Sequence, residues 1–222
     1  MLNNKKHGIK WIAITGIDGT GKTTLLNQLN NVFSLKGLKV KTFKHPYFDW
    51  VREMLWISGA GSPWKDPHTD KMLCTADARL LDYLIKKWKQ DHDLLISQRF
   101  WMDNLAYRGV QGFTWEETRE FTRNWELEKP DLVFLLDCEP EKALARINNG
   151  DKFEELTFMK TLKKEFDKIY LERNKSKDLV ELKGIPVYKI DASGTVDQTL
   201  TQVLKKLQEC FELNLDFLKV AR

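Results

Sequence analysis

One stretch of the sequence has the residue types and spacing needed to hold a polyphosphate: ITGIDGTGKTT, residues 14–24. It fits G-x-x-x-x-G-K-[ST] through Gly16, Gly21, Lys22 and Thr23. The glycines let successive backbone N–H groups along Gly16, Ile17, Asp18, Gly19, Thr20 and Gly21 turn inward around a phosphate. A helix opening at Lys22, Thr23 and Thr24 adds partial positive charge at its N-terminus. Lys22 is expected to reach the β- and γ-phosphate oxygens, and the Thr23 hydroxyl to ligate Mg²⁺.

A phosphate held there can be hydrolysed or handed on. A GTPase would carry an Asn-Lys-x-Asp segment to read guanine. The nearest match, Asn174-Lys175-Ser176-Lys177, lacks the Asp, and an ATP-driven motor would need partner domains or a much longer chain. The chain does hold a second basic constellation, ISQRFWMDNLAYRG at 96–109. If this segment follows a strand parallel to the one before the phosphate loop, Arg99 faces that loop across the crevice at the strand ends. Its planar fork suits an anionic acceptor.

The elements that must position these groups alternate. IKWIAIT (9–15) is a short β-branched run that stops at Gly16 and predicts a buried strand. From Lys22, apolar residues at 25, 26, 29, 32, 33 and 35 predict a helix that ends at Gly37. LKVKTF, DLLIS (93–97), DLVFLLD (131–137) and IPVYKID predict four further strands. Between them, helices are expected around 48–58, over 70–90, from Thr114 with Glu117 closing a capping box, from Pro140, and along FEELTFMKTLKKEFDKIYLER. GAGSPWKDPHTD reads as a loop, and the residues after IPVYKID as mostly helix. Five rounds of strand and helix predict a three-layer α/β fold, a parallel sheet of about five strands with helices on both faces. At 222 residues one domain is expected, with no repeat and no linker.

Composition narrows the setting. Apolar residues at 42% and charged residues at 31% describe an ordinary globule, and a net charge of +4 suits small anions. The basic runs LKKWK, LKKEFDK and LKKLQE have helical spacing and mixed sign, so solvated faces are expected and no nucleic-acid partner. Cys74, Cys138 and Cys210 form no CxxC pair, and the four histidines form no HExxH. The segment MLNNKKHGIK lacks the apolar run of a signal peptide, and no run approaches the about 18 residues of a membrane span. A cytoplasmic protein with no membrane partner is expected.

The chain resembles the thymidylate kinase family of P-loop nucleoside monophosphate kinases over residues 9 to about 205. The likeness rests on GIDGTGKTT, on RFWMDNLAYRG against the family's Asp-Arg-Tyr…Ala-Tyr-Gln-Gly, on PDLVFLLDCEPEKALARI, on DKFE and on IDAS. It implies transfer of the ATP γ-phosphoryl group to the 5′-phosphate of a deoxynucleotide. Mg²⁺, a lid near 146–154 that Arg146 begins, and a homodimer are implied with it. Asp18 would lie between donor and acceptor, Arg99 would hold the acceptor phosphate, and Lys44 of FKHP would stand where many members have Arg. Asn104 and Tyr107 match positions that contact pyrimidine and sugar.

The departures fall on the acceptor side. The family's Asp before Arg99 is Gln98, its base-stacking Phe is Cys74, and its phosphate-clamping Arg is Ala78, with Arg79 one place late as the substitute. The short lid offers Arg146 and Lys152. The aromatics Trp50, Trp64, Phe100 and Trp101 are expected around the same crevice, mostly as packing, with one able to replace the lost Phe. A kinase of a nucleoside or other small molecule, and a nucleotide-binding protein with little catalysis, stay open beside the monophosphate kinase.

Overall fold

The computed structural model describes residues 9–57, 66–120, 122–123, 125–147 and 156–211. Five strands, β1 (Trp11–Thr15), β2 (Val40–Lys44), β3 (Leu94–Gln98), β4 (Leu132–Asp137) and β5 (Val187–Asp191), make one sheet in the order β2-β3-β1-β4-β5. Every pairing is parallel, with Ile12 opposite Ile96 on one side and Leu132 on the other. Strand composition follows position. The central β1 and β3 are buried at every residue, whereas the edge strands β2 and β5 mix buried with exposed positions.

Among the described residues eight helices lie between and after the strands: α1 (Lys22–Leu35), α2 (Asp49–Ile57), α3 (Pro67–Asp91), α4 (Trp101–Val110), α5 (Trp115–Arg119), α6 (Pro140–Leu144), α7 (Leu156–Glu172) and α8 (Val196–Phe211). They cover both faces of the sheet, α1 packing on α8 and α4 on α7. Ile12, Ile14, Leu95, Ile96 and Phe134 are fully buried between these layers, each such side chain contributing about 1.5–3 kcal/mol. Among the described residues no helix is long and apolar enough to cross a membrane.

Three elements differ from expectation. No helix was expected over 101–110, where α4 forms with Asp103 of its first turn accepting from Phe100 N. The helix from Thr114 has its capping box, Thr114 Oγ1 accepting from Glu117 N, yet it ends at Arg119. The chain beyond it is drawn onto α3, where Asp82 accepts from Glu128 N and Lys89 pairs with the Glu128 carboxylate. The helix α3 starts three residues earlier than its periodicity suggests, because Asp66 caps it by accepting from His68 N and Thr69 N, with Pro67 in the first turn.

The loop between β1 and α1 is pressed against α6. A Cβ on Gly19, at φ 77°, would lie 2.1 Å from the Ala143 carbonyl oxygen, whereas one on Gly21, at φ 86°, would meet nothing within 4 Å. Gly21→Ala therefore carries only the left-handed backbone penalty of about 1–2 kcal/mol, and Gly19→Ala adds an overpacking cost of about 1–3 kcal/mol. Urea unfolding of both variants measures the difference. Equal costs would mean that the loop does not rest on α6.

Candidate active site

The carboxyl ends of β1 and β3 lie side by side and deliver the phosphate loop and Arg99 to one crevice. Two cavities open from it. The first, about 430 Å³, is lined by Asp18, Gly19, Thr20, Gly21, Lys22, Thr23, Thr24 and Leu25, by Gln98, by Arg146, and by the 192–199 turn into α8. The second, about 100 Å³, lies between α3 and α4 with Arg99 in its wall.

In the loop, Thr20 Oγ1 donates to Ile17 O at 2.8 Å and tightens the turn. Lys22 is buried, and its Nζ donates to Gly16 O at 2.9 Å, to Ile17 O at 2.7 Å and to Asp18 Oδ1 at 3.2 Å. Burial pushes its pKa down, while Asp18 opposes that shift. Thr23 Oγ1 donates to Gln98 Oε1 at 2.9 Å. Gln98 therefore bonds the hydroxyl expected to meet the metal.

Asp18 is the hub. Its Oδ1 accepts from Arg99 Nη2 at 2.5 Å and its Oδ2 from the Tyr107 hydroxyl at 2.8 Å; Arg99 Nη2 also reaches the Tyr107 oxygen at 3.0 Å. Burial works against the Asp18 charge, but Arg99 and Lys22 outweigh it and hold the carboxyl well below the usual carboxylate range. Arg99 sits at φ 70°, with its N–H donating to Ile14 O of β1 at 2.8 Å. A non-glycine residue in that region is strained, and such strain is kept where surrounding bonds over-determine the conformation.

The second cavity gathers buried polar groups without partners. Twelve such side-chain atoms occur among the described residues, and eight belong to residues lining this cavity: His45 Nε2, Arg99 Nε, Trp101 Nε1, Asp103 Oδ1, both amide atoms of Asn104, and Nε and Nη1 of Arg108. Buried polar groups are normally satisfied, so this clustering marks the place where a ligand completes the bonding. Asp103 also accepts from Thr15 Oγ1 and Phe100 N, and its burial pushes its pKa up to about 6. Asp77 Oδ1 accepts from Tyr47 N and Phe48 N and so ties the chain after β2 to α3.

The sequence-derived candidates divide accordingly. Asp18 to Thr24, Arg99 and Tyr107 converge on the crevice, Gly16 and Ile17 stand behind the loop with their carbonyls accepting from Lys22 Nζ, and Asn104 lines the second cavity. Arg79 does not reach it. One position past Ala78 turns a helical side chain by about 100°, and Arg79 is exposed with its guanidinium 4.8 Å from the Trp125 ring centre. Lys44 is exposed at the end of edge strand β2 and lines neither cavity. Strand alternation places its neighbour His45 inward, on the side of Phe43. Arg146 lines the first cavity, and its guanidinium donates to the carbonyls of Ala192, Ser193 and Gly194, bonds that brace the turn into α8. Phe100 and Trp101 line the second cavity, Trp50 is exposed on α2, and Trp64, Lys152 and most of the lid lie outside the described residues. His45, Asp77, Asp103 and Arg108 were not singled out from sequence. The i, i+4 spacing of Arg108 from Asn104 and of Asp103 from Arg99 was the available signal.

The thymidylate kinase family matches residues 14–184. The chain belongs to this family. It is 34% identical over 201 residues to a probable thymidylate kinase 1 of Saccharolobus solfataricus, covering 90% of this chain and 97% of that one. A probable thymidylate kinase of Archaeoglobus fulgidus is 32% identical over 208 residues, 91% and 96% of the two chains. The thymidylate kinase of Xanthomonas euvesicatoria is 33% identical over 147 residues, 66% and 64%.

His45 makes the second cavity pH-sensitive. Burial and the Arg99 charge push its imidazole from the ordinary 6.5 down to about 3. Because the folded pKa is lowered, its contribution to stability is present above pH 6.5 and is lost as the pH falls from there toward 3. Asp77 and Asp103, both raised to about 6, act in the opposite sense between pH 6 and 4. The gap between wild type and His45→Gln isolates the imidazole. It should shift in favour of the variant by about 1–2 kcal/mol between pH 7 and 5 in urea unfolding. A gap independent of pH would show that His45 protonates freely in the fold.

Proposed function

We propose that the chain transfers the γ-phosphoryl group of ATP to the 5′-phosphate of a deoxynucleoside monophosphate. The observation that carries this reading is Arg99, which bonds Asp18 of the phosphate loop and lines the acceptor cavity, its Nε 4.0 Å from Asp103 Oδ1 and without a hydrogen-bond partner. A cation fixed at the junction of two cavities is suited to hold an acceptor phosphate facing the donor.

An acceptor phosphate oxygen attacks the γ-phosphorus, the bond to the β–γ bridging oxygen breaks, and ADP leaves with that electron pair. The attacking oxygen needs no base, since a phosphate monoester is largely dianionic at neutral pH, its second pKa being about 6. Asp18, held ionised by Arg99 and Lys22, orients the guanidinium and does not take up a proton. Lys22 and the loop N–H groups carry the charge of the donor phosphates. Mg²⁺ fits the oxygens present. The Thr23 hydroxyl and Gln98 Oε1 stand 2.9 Å apart in the donor cavity and would hold the ion as uncharged oxygen donors. When bound, the ion neutralises charge on the β- and γ-phosphates.

The second reading is a nucleoside acceptor. Asp103 favours it, a carboxyl raised to about 6 whose buried Oδ1 faces Arg99 Nε at 4.0 Å and has no hydrogen-bond partner, able to take a proton from a hydroxyl. The free cysteines and the absence of a membrane-crossing helix among the described residues support a cytoplasmic setting. Trp50, Met54 and Ile57 at helical spacing on α2, beside Met72, Leu80 and Tyr83 on α3, are exposed and support a homodimer through these helices. The whole chain we take as a single domain with residues 146–154 as its lid.

Arg99→Ala should lower kcat/KM for a monophosphate by at least about ten-fold, or 1.4 kcal/mol, in an assay of ADP formation. Free nucleosides should be poor substrates, and equal use of nucleoside and monophosphate would move the assignment to the second reading. Gln98→Asp tests the metal side separately. The shorter side chain withdraws from Thr23 and brings a negative charge near the Asp18–Arg99 pair, so kcat should fall several-fold. A gain in kcat together with a lower Mg²⁺ requirement would show instead that a missing carboxylate limits the enzyme.

A further inference from the structure

Transfer to a phosphate needs no base, yet a second buried carboxylate, Asp103, stands beside Arg99. It lies in the first turn of α4, four residues after Arg99, and is 4% exposed. One of its oxygens is fully engaged, Oδ2 accepting from Thr15 Oγ1 at 2.7 Å and from Phe100 N at 3.0 Å. The other, Oδ1, is buried without a hydrogen-bond partner and faces Arg99 Nε at 4.0 Å, and that Nε is itself buried without one. A donor and an acceptor of opposite charge thus face each other across a gap about 1 Å longer than a hydrogen bond. Contacts inside catalytic sites are commonly long before substrate arrives and tighten in the complex.

The charge at 103 costs the fold stability. Burial pushes the carboxyl up to about 6, and a folded pKa above the unfolded one favours the fold at low pH, a contribution lost as the pH rises through 6. At pH 7 an asparagine would keep the shape, its oxygen accepting from Thr15 and Phe100 as Oδ2 does. What the aspartate adds is the negative charge toward Arg99. On the strand side that charge is missing, because the residue before Arg99 is the uncharged Gln98, whose Oε1 accepts from Thr23 Oγ1. Among the described residues Arg99 pairs with two carboxylates, Asp18 at Nη2 and Asp103 at Nε. Two anions on different sides fix both the place and the tilt of a planar fork, where one alone lets it pivot. We propose that Asp103 is a positioning residue for the transfer, drawing in Arg99 Nε while Asp18 holds Nη2, and so aiming the remaining N–H groups at the acceptor phosphate. It serves from α4 as a carboxylate at position 98 would serve from the strand. It touches no reacting atom and exchanges no proton.

This inference rests on the reading of Arg99 as the holder of an acceptor phosphate. The test is ADP formation from Mg-ATP by the full chain with dTMP and with thymidine, together with urea unfolding at pH 7. Asp103→Asn should lower kcat for dTMP about ten-fold without raising KM, because removing a negative charge does not weaken the pull on a phosphate. In an Arg99→Ala background the same change should cost less than about two-fold in kcat/KM, since a residue that acts through Arg99 has nothing left to act on. Gln98→Asp, harmful by itself, should raise the kcat of Asp103→Asn about three-fold or more, because it returns the lost charge to the guanidinium. The urea midpoint of Asp103→Asn should be no lower than that of wild type. An unchanged kcat in Asp103→Asn overturns the inference, and so does a loss that persists in full without Arg99. No gain from Gln98→Asp in Asp103→Asn overturns it too, as does a lower urea midpoint, the mark of a carboxylate that only supports the fold. Equal use of thymidine and dTMP by wild type would count against the phosphate-acceptor reading. The coupling between Asp103 and Arg99 is measured on whichever acceptor turns over, so the two failures are told apart.

Discussion

The rest of the site depends on one half-buried ion pair, Asp18 with Arg99. Asp18 comes from the loop after β1 and Arg99 from the residue after β3, so the pair closes the crevice between two neighbouring strands. Its geometry is over-determined. The Arg99 backbone is held left-handed by its bond to Ile14 O, and Tyr107 from α4 reaches back to both charged groups. In a partly desolvated place such a pair gains little net stability, because desolvation offsets most of the attraction. What it does is fix where two cavities meet.

The parallel sheet explains why the pair can form. All five strands present their carboxyl ends to the same edge, and the strand order puts β1 between β3 and β4. Loops that leave β1 and β3 are therefore neighbours although some 80 residues separate them in the chain, as the 81-residue gap between Asp18 and Arg99 shows. The two sides of the site differ in character. The loop-lined cavity is built from backbone groups, Lys22 and two neutral oxygens, and most of its polar groups are satisfied within the loop. The second cavity is built largely from side chains on α3 and α4, and several of their buried polar atoms have no hydrogen-bond partner.

That contrast bears on how the acceptor side departs from family expectation. Two bulky groups expected on α3 are replaced by Cys74 and Ala78, while α4 supplies the buried Arg108 and the chain after β2 supplies His45. The cationic character of the cavity persists, carried on another wall. Asp77, pinning Tyr47 N and Phe48 N, couples the position of His45 to α3, so changes on one wall are felt on the other.

The sequence by itself determined what is local. The phosphate loop was legible because its glycines, Lys22 and Thr23 act through backbone geometry within eleven residues, and the five strands because buried runs and helical periods are short-range patterns. The family was legible for the same reason, through contiguous motifs. Only the tertiary structure decided which side chains share a cavity. Arg79 differs from Ala78 by one helical position, and that rotation sends it to Trp125 instead of the site. Lys44 and His45 differ by one strand position, which turns one outward and the other in. Arg146 begins the expected lid and lines the same cavity as the phosphate loop, and only the structure shows its three bonds to the 192–194 carbonyls, 46 to 48 residues away. Side-chain direction over a single residue is a matter of packing against distant elements, and no pattern within a window of the chain carries that information.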